Sequence, residues 1–181
     1  MAAARPAHPV GVVIRPAGVA DAPWLADLAE RTFRETYTAH NTPEDMERYV
    51  ADHFAPALQA AELADPRYLT LVAEVDGRPA GYTQLGHGVA PGCVTGAEPM
   101  EIVRFYVDRP WHGQGLAQEL MRAAAEHAGV AGARTLWLGV WERNPRAIAF
   151  YRKCGFTEVG TQTFVLGTDH QRDLVLERPI P

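Results

Sequence analysis

The stretch from Met100 to Ala117, MEIVRFYVDRPWHGQGLA, constrains the fold more than any other part of the chain. A β-branched and aromatic strand runs straight into a glycine-punctuated turn and then into an Ala/Leu-rich helix. A helix N-terminus preceded by glycines gathers unpaired backbone N–H groups and the positive end of the helix dipole at one point, which suits an anion such as a pyrophosphate. Gly113 and Gly115 carry no Cβ, so the backbone there can approach a ligand closely. Taken alone, G-x-G is equally well a tight turn with close helix-on-sheet packing.

Around this unit the chain reads β, α, α, β, β, β, α, β, α, β, β. Residues 10–14 form a short strand, and Asp21 is placed to cap a helix that carries Trp24, Leu25, Leu28, Phe33 and Tyr37 on one side. Thr42-Pro43-Glu44-Asp45 opens a second helix in good cap order. Asp76-Gly77 is the strongest hairpin signal, between strands at 68–75 and 79–87. A last pair of strands, near 157–166 and 171–177, turns at Gly167-Thr168-Asp169. The Ala-rich stretches at 57–64 and 123–133 fit helix propensity better than a linker. Strands at 101–107 and 135–141 should be parallel neighbours, joined by the helix that starts near Gly113 as a right-handed crossover. A ligand then belongs at their carboxyl ends, beside that helix N-terminus.

Composition excludes several alternatives. The chain has 181 residues, 47% of them apolar, enough for one α/β domain that buries about 70% of its unfolded surface. A net charge of −5 argues against a general nucleic-acid binder and mildly favours a cationic or amine-bearing substrate. Cys93 and Cys154 are too few for a disulfide framework, and no spacing of Cys and His marks a metal site. A reduced, cytoplasmic protein is expected. Residues 1–9 read as a loose tail without a secretory or membrane-spanning pattern, and 10–181 as a single domain.

A second motif decides between the readings of the first. The strand-like Thr135 to Val140 is followed by Asn144, Ala147, Tyr151 and Gly155-Phe156, spaced N-x-x-A-x-x-x-Y-x-x-x-G-F. Together with His112-Gly113-Gln114-Gly115-Leu116-Ala117, matching Q/R-x-x-G-x-G/A, this order resembles the GNAT superfamily of acyl-CoA N-acyltransferases from about Val13 to about Leu176. His112 departs from the usual Gln or Arg. The resemblance implies a mixed α/β sheet of about six to seven strands, with a central parallel βαβ unit flanked by four helices. The two central strands would splay and hold the pantetheine arm of acetyl-CoA in the gap. It also implies direct acetyl transfer to an amine-bearing acceptor, without metal, nucleic acid or membrane as partner. A homodimer is left open.

Site residues follow from the same two motifs. Residues 112 to 117 would cradle the diphosphate, and Phe105, Tyr106 and Val107 would meet the arm, with a backbone N–H at Tyr106 or Val107 polarising the thioester carbonyl. Asn144 and Tyr151 are seven residues apart, hence on one helix face; Asn144-Pro145 is also a good N-cap, and Tyr151 could equally be packing. The family reading gives the Tyr151 phenol to the departing thiolate. Glu101 is the candidate base. Alternation puts it on the face of Val103, Phe105 and Val107, with His87, His112 and His170 as rivals. Phe33, Tyr37, Tyr82 and Gln84 are candidates to line the acceptor pocket. No G-x-S-x-G elbow occurs, and Cys154, at a helix C-terminus, lacks an activating partner. Two other classes remain: a non-catalytic acyl-CoA sensor, and a nucleotide-phosphate enzyme, against which stand the missing G-x-x-x-x-G-K-[ST] and the missing acidic ribose-binding residue.

Overall fold

The computed structural model describes residues 11–180; the expected tail and the start of the first strand at Val10 lie outside them. The strands are β1 (Val12–Pro16), β2 (Tyr68–Val75), β3 (Arg78–Gly86), β4 (Pro99–Val107), β5 (Thr135–Trp141), β6 (Thr157–Leu166) and β7 (Asp169–Pro179). They form one seven-stranded sheet in the order β1-β2-β3-β4-β5-β7-β6. Every neighbouring pair is antiparallel except β4 and β5. The helices are α1 (Ala22–Tyr37), α2 (Pro43–Phe54), α3 (Pro56–Ala64), α4 (Leu116–Val130) and α5 (Pro145–Lys153).

The helix count exceeds the expected four because the second helical stretch is broken in two. Ala55, directly before Pro56, is held at φ −57°, ψ 141°, since the proline ring excludes the α conformation for the residue preceding it. The helix starts were mostly readable. Thr42 Oγ1 accepts the Asp45 N–H at 3.2 Å, and Asn144 Oδ1 accepts the Ala147 N–H at 3.1 Å. Asp21 is the exception. It stands at the N-cap of α1, but its carboxylate accepts the Gly18 N–H and the Trp24 indole N–H and pairs with Arg15 instead of capping.

Both sheet faces are covered. On one, Met121 and Ala124 of α4 and Ile148 and Tyr151 of α5 pack on Leu136, Leu138, Val140 and Leu176. On the other, Leu25, Leu28 and Phe33 of α1 and Met46 of α2 pack on Val72 and Tyr82. Alternation along β5 produces this division, leaving Trp137, Gly139 and Trp141 on the face toward α1 and α2.

β4 breaks its own alternation. Its pairing with β3 steps from Gln84↔Arg104 to Leu85↔Ile102, so Val103 is the additional residue of a β-bulge. Ile102 and Phe105 consequently both pack on the α4 side, although they are three positions apart, an offset that regular alternation would place on opposite faces. Tyr106 turns toward α1 and α2, where Arg104 lies over the Phe54 ring. The expected grouping of Glu101 with Phe105 and Val107 is therefore incorrect, while Val103 does approach Gly86, the strand partner of Glu101. Glu101 is registered beside Trp137 and shares its face, opposite to Phe105 and Val107.

Candidate active site

The sheet opens at its centre. β4 and β5 pair only at Pro99↔Thr135, Met100↔Leu136 and Glu101↔Trp137, and beyond these three pairs the strands diverge toward their carboxyl ends. The expected parallel contact along 101–107 and 135–141 is thus confined to its foot.

α4 begins at the head of that gap. Gly115 is its N-cap at φ 88°, and Gly113 adopts φ 77°, the left-handed region that glycine enters without steric cost. No side chain caps the helix, so its first N–H groups are left for water or a ligand. A Cβ on Gly113 would meet nothing within 4 Å, which shows the turn open on that side. Gln114 folds back to donate to the Pro110 carbonyl at 2.7 Å, and Leu116 is fully buried, so the cradle is made of backbone. The ring of His112 lies against the strand end, with Nε2 2.7 Å from the Val107 carbonyl oxygen. That contact fixes the turn relative to β4.

The backbone groups facing the gap follow from the antiparallel ladder. The Asp108 N–H donates to the Ala80 carbonyl at 2.8 Å, so Asp108 and Tyr106 direct their backbone toward β3. Phe105 and Val107 direct theirs into the opening. Of the two residues expected to polarise a carbonyl there, Val107 has the orientation and Tyr106 does not.

Tyr151 is buried in an aromatic nest, with ring centroids 5.4 Å from Phe150, 5.8 Å from Phe156 and 6.1 Å from Phe105. Burial raises its pKa, the nearby Tyr37 adding to the shift, so the phenol keeps its proton. Tyr37 belongs to the opposite face of the sheet. Tyr37 and Tyr106 pack against one cluster there, and burial, with Tyr37 and Tyr151 among the neighbouring phenols, raises the Tyr106 pKa. Asn144 is occupied as a cap. Burial raises the Cys154 thiol pKa as well, against a thiolate role.

On the α1/α2 face, Glu101 is partly covered by the segment 87–98: a Cβ on Gly88 would stand 2.9 Å from Glu101 Oε2. Burial raises its pKa. His87 and His170 are exposed. Of the expected pocket residues, Phe33 and Tyr82 are each 1% exposed and belong to the core. Gln84 is also buried, donating to Glu62 and accepting from Arg104. Tyr37 differs, its ring 5.5 Å from that of Trp141. Asp173, which sequence reasoning missed, lies beside Trp141 in the β5–β7 register and is only 7% exposed. The signals for it were an aspartate inside a strand and a glycine, Gly139, inside the next one.

The overall fold is shared with known proteins. The family model of the GNAT acetyltransferases matches residues 25–156, and the chain belongs to that family. An "uncharacterized N-acetyltransferase in pepI 3'region" of Lactobacillus delbrueckii subsp. lactis is 32% identical over 170 residues, 94% of this chain and 98% of that protein. An uncharacterized N-acetyltransferase of Mycobacterium bovis is 37% identical over 160 residues, 88% and 98% of the two chains. The crystal structure of a PaiA N-acetyltransferase from Thermoplasma acidophilum in complex with coenzyme A superimposes with a TM-score of 0.77. At 19% identity over 94% of this chain and 99% of that one, it shows the fold.

Proposed function

We propose that the protein transfers an acetyl group from acetyl-CoA directly to a primary amine within a ternary complex, with no covalent enzyme intermediate. The observation that carries this reading is the coincidence of the uncapped N-terminus of α4 with the opening between β4 and β5. An elongated ligand with a diphosphate could lay its anion on the helix end and its arm along free strand backbone.

The residues divide the chemistry among them. Backbone N–H groups from Gly113 to Ala117 bind the diphosphate, with His112 holding the turn in place. The Val107 N–H, or that of Phe105, polarises the thioester carbonyl. Glu101 accepts the ammonium proton, its raised pKa bringing it nearer to the useful range. Tyr151, kept protonated by burial, donates to the departing thiolate.

Thiol release and product mass test the reaction. Purified protein given acetyl-CoA and a panel of primary amines should release CoA only when an accepted amine is present, and each such amine should gain one acetyl group. Binding of CoA with no amine-dependent release would make the protein a sensor instead.

A further inference from the structure

The acceptor side of the opening holds a charged group that the fold leaves unanswered. Asp173 Oδ1 is buried and accepts no hydrogen bond. No basic side chain among the described residues pairs with the carboxylate; its neighbour Arg172 is paired with Glu142. An isolated buried carboxylate is costly unless it is paired or protonated. Burial, with Glu142 nearby, pushes its pKa up to about 6, so at pH 7 most of it still carries its charge.

The surroundings suit a cation. Asp173 is the direct cross-strand partner of Trp141, the last residue of β5. Trp141 in turn lies against Tyr37 of α1, with ring centroids 5.5 Å apart, and burial, with Asp173 nearby, raises the Tyr37 pKa. These rings supply electron-rich faces that attract cations. Beneath them strand β5 is bare. A Cβ on Gly139 would meet Asp173 Oδ2 at 3.0 Å and would also collide with the Gln162 amide, so the glycine makes room for both side chains.

The place and its enclosure are specific. Trp141 stands at the end of β5, after the strands have parted, and its neighbour Tyr37 packs against the same core cluster as Tyr106 of β4. On the far side the β6–β7 turn is tethered to the start of α2. The Thr168 N–H donates to Asp45 Oδ1 at 2.8 Å, and Gln171 Nε2 donates to Asn41 Oδ1 at 2.7 Å. These two contacts hold the β6–β7 turn and the start of α2 together on that side.

We propose that Asp173, beside Trp141 and Tyr37, is the subsite that recognises the acceptor's ammonium group, and that the acceptor is a small aliphatic amine with no adjacent carboxylate. The proposal rests on the acyltransferase reading given above. It assigns Asp173 to binding the cation and leaves the proton transfer to Glu101. An α-amino acid is disfavoured because its carboxylate would enter the field of Asp173 and Glu142 together.

The test is calorimetric, with CoA present so that no turnover occurs. n-Butylammonium should bind the wild-type protein at least tenfold more tightly than n-butanol or 2-aminopentanoate. Asp173→Asn should lose at least tenfold in n-butylammonium affinity, keep its CoA affinity, and melt at the same or a higher temperature. That last result distinguishes a ligand-binding charge from a structural one, whose loss would lower the melting temperature. In steady state the same variant should raise KM for butylamine at least tenfold, with kcat changed less than threefold. Unchanged n-butylammonium affinity in the variant, or equal binding of cation and alcohol by the wild type, overturns the proposal. A protein that binds n-butylammonium through Asp173 yet acetylates no amine would overturn the acyltransferase reading while leaving the subsite standing.

Discussion

Replacing Tyr151 with phenylalanine isolates the role of a single oxygen. The ring is held by Phe105, Phe150 and Phe156 at centroid distances of 6.1, 5.4 and 5.8 Å, and a phenylalanine keeps all three contacts. The side chain is 7% exposed, so no new surface is created and folding should change by less than about 1 kcal/mol. What disappears is a proton donor whose pKa burial holds above its ordinary value. Loss of a positioned acid costs roughly 10- to 1,000-fold in turnover, and each tenfold corresponds to about 1.4 kcal/mol of barrier. The deficit should fall on kcat, with acetyl-CoA affinity within about twofold of wild type. A second donor sharpens the test: an acetyl thioester of a more acidic thiol needs less help in leaving, so the gap between wild type and variant should narrow. Thiol release in single turnover, paired with a thermal melt, measures both effects. Wild-type turnover in the variant, or a deficit independent of the leaving group, would refute the assignment and return Tyr151 to packing.

Glu101→Gln should lower kcat/KM near neutral pH by roughly 100-fold, with recovery at high pH as free amine becomes abundant; coincident pH–rate profiles would remove Glu101 from the mechanism. Because burial raises the Glu101 pKa, the folded protein binds the proton more readily than the unfolded chain, so this carboxylate's contribution to stability declines as pH rises through that interval. The glutamine variant should then match wild type in acid and equal or exceed its melting temperature at pH 7, read by calorimetry. Thr42→Ala should cost about 1 kcal/mol by removing the α2 cap, lowering the melting temperature by about 2–4 °C without altering the acetyl-CoA KM.

The legible parts of the chain were those written in local chemistry. Thr42-Pro43, Asn144-Pro145 and Asp76-Gly77 each fix a few dihedrals by themselves, and the elements they start or join stand where the pattern put them. Ala55-Pro56 is as local a signal, and it explains the division of α2 from α3. The bulge at Val103 is different in kind. It depends on how β4 lies against β3, and the sequence offers only regular alternation, which sends Glu101 to the wrong face. Sequence likewise gave no measure of where β4 and β5 part. Aromatic residues chosen for a pocket proved ambiguous in the usual way. Phe33 and Tyr82 satisfy the core, whereas Asp173 meets Trp141, and through it Tyr37, only after three distant segments come together.

Acetyl-CoA binding to Gly115→Val, followed by calorimetric titration, bears most directly on the claim that the α4 N-terminus and the opened sheet form the acyl-CoA site. At φ 88° valine strains the turn by roughly 1–3 kcal/mol, so circular dichroism and a melt must first show a folded protein. Gly113→Ala, whose Cβ meets no protein atom within 4 Å, serves as the milder companion. The account predicts micromolar-range binding by wild type, at least a tenfold loss in Gly113→Ala, and no detectable binding in folded Gly115→Val. Wild-type affinity in both folded variants would contradict it and place the acyl donor elsewhere on the molecule.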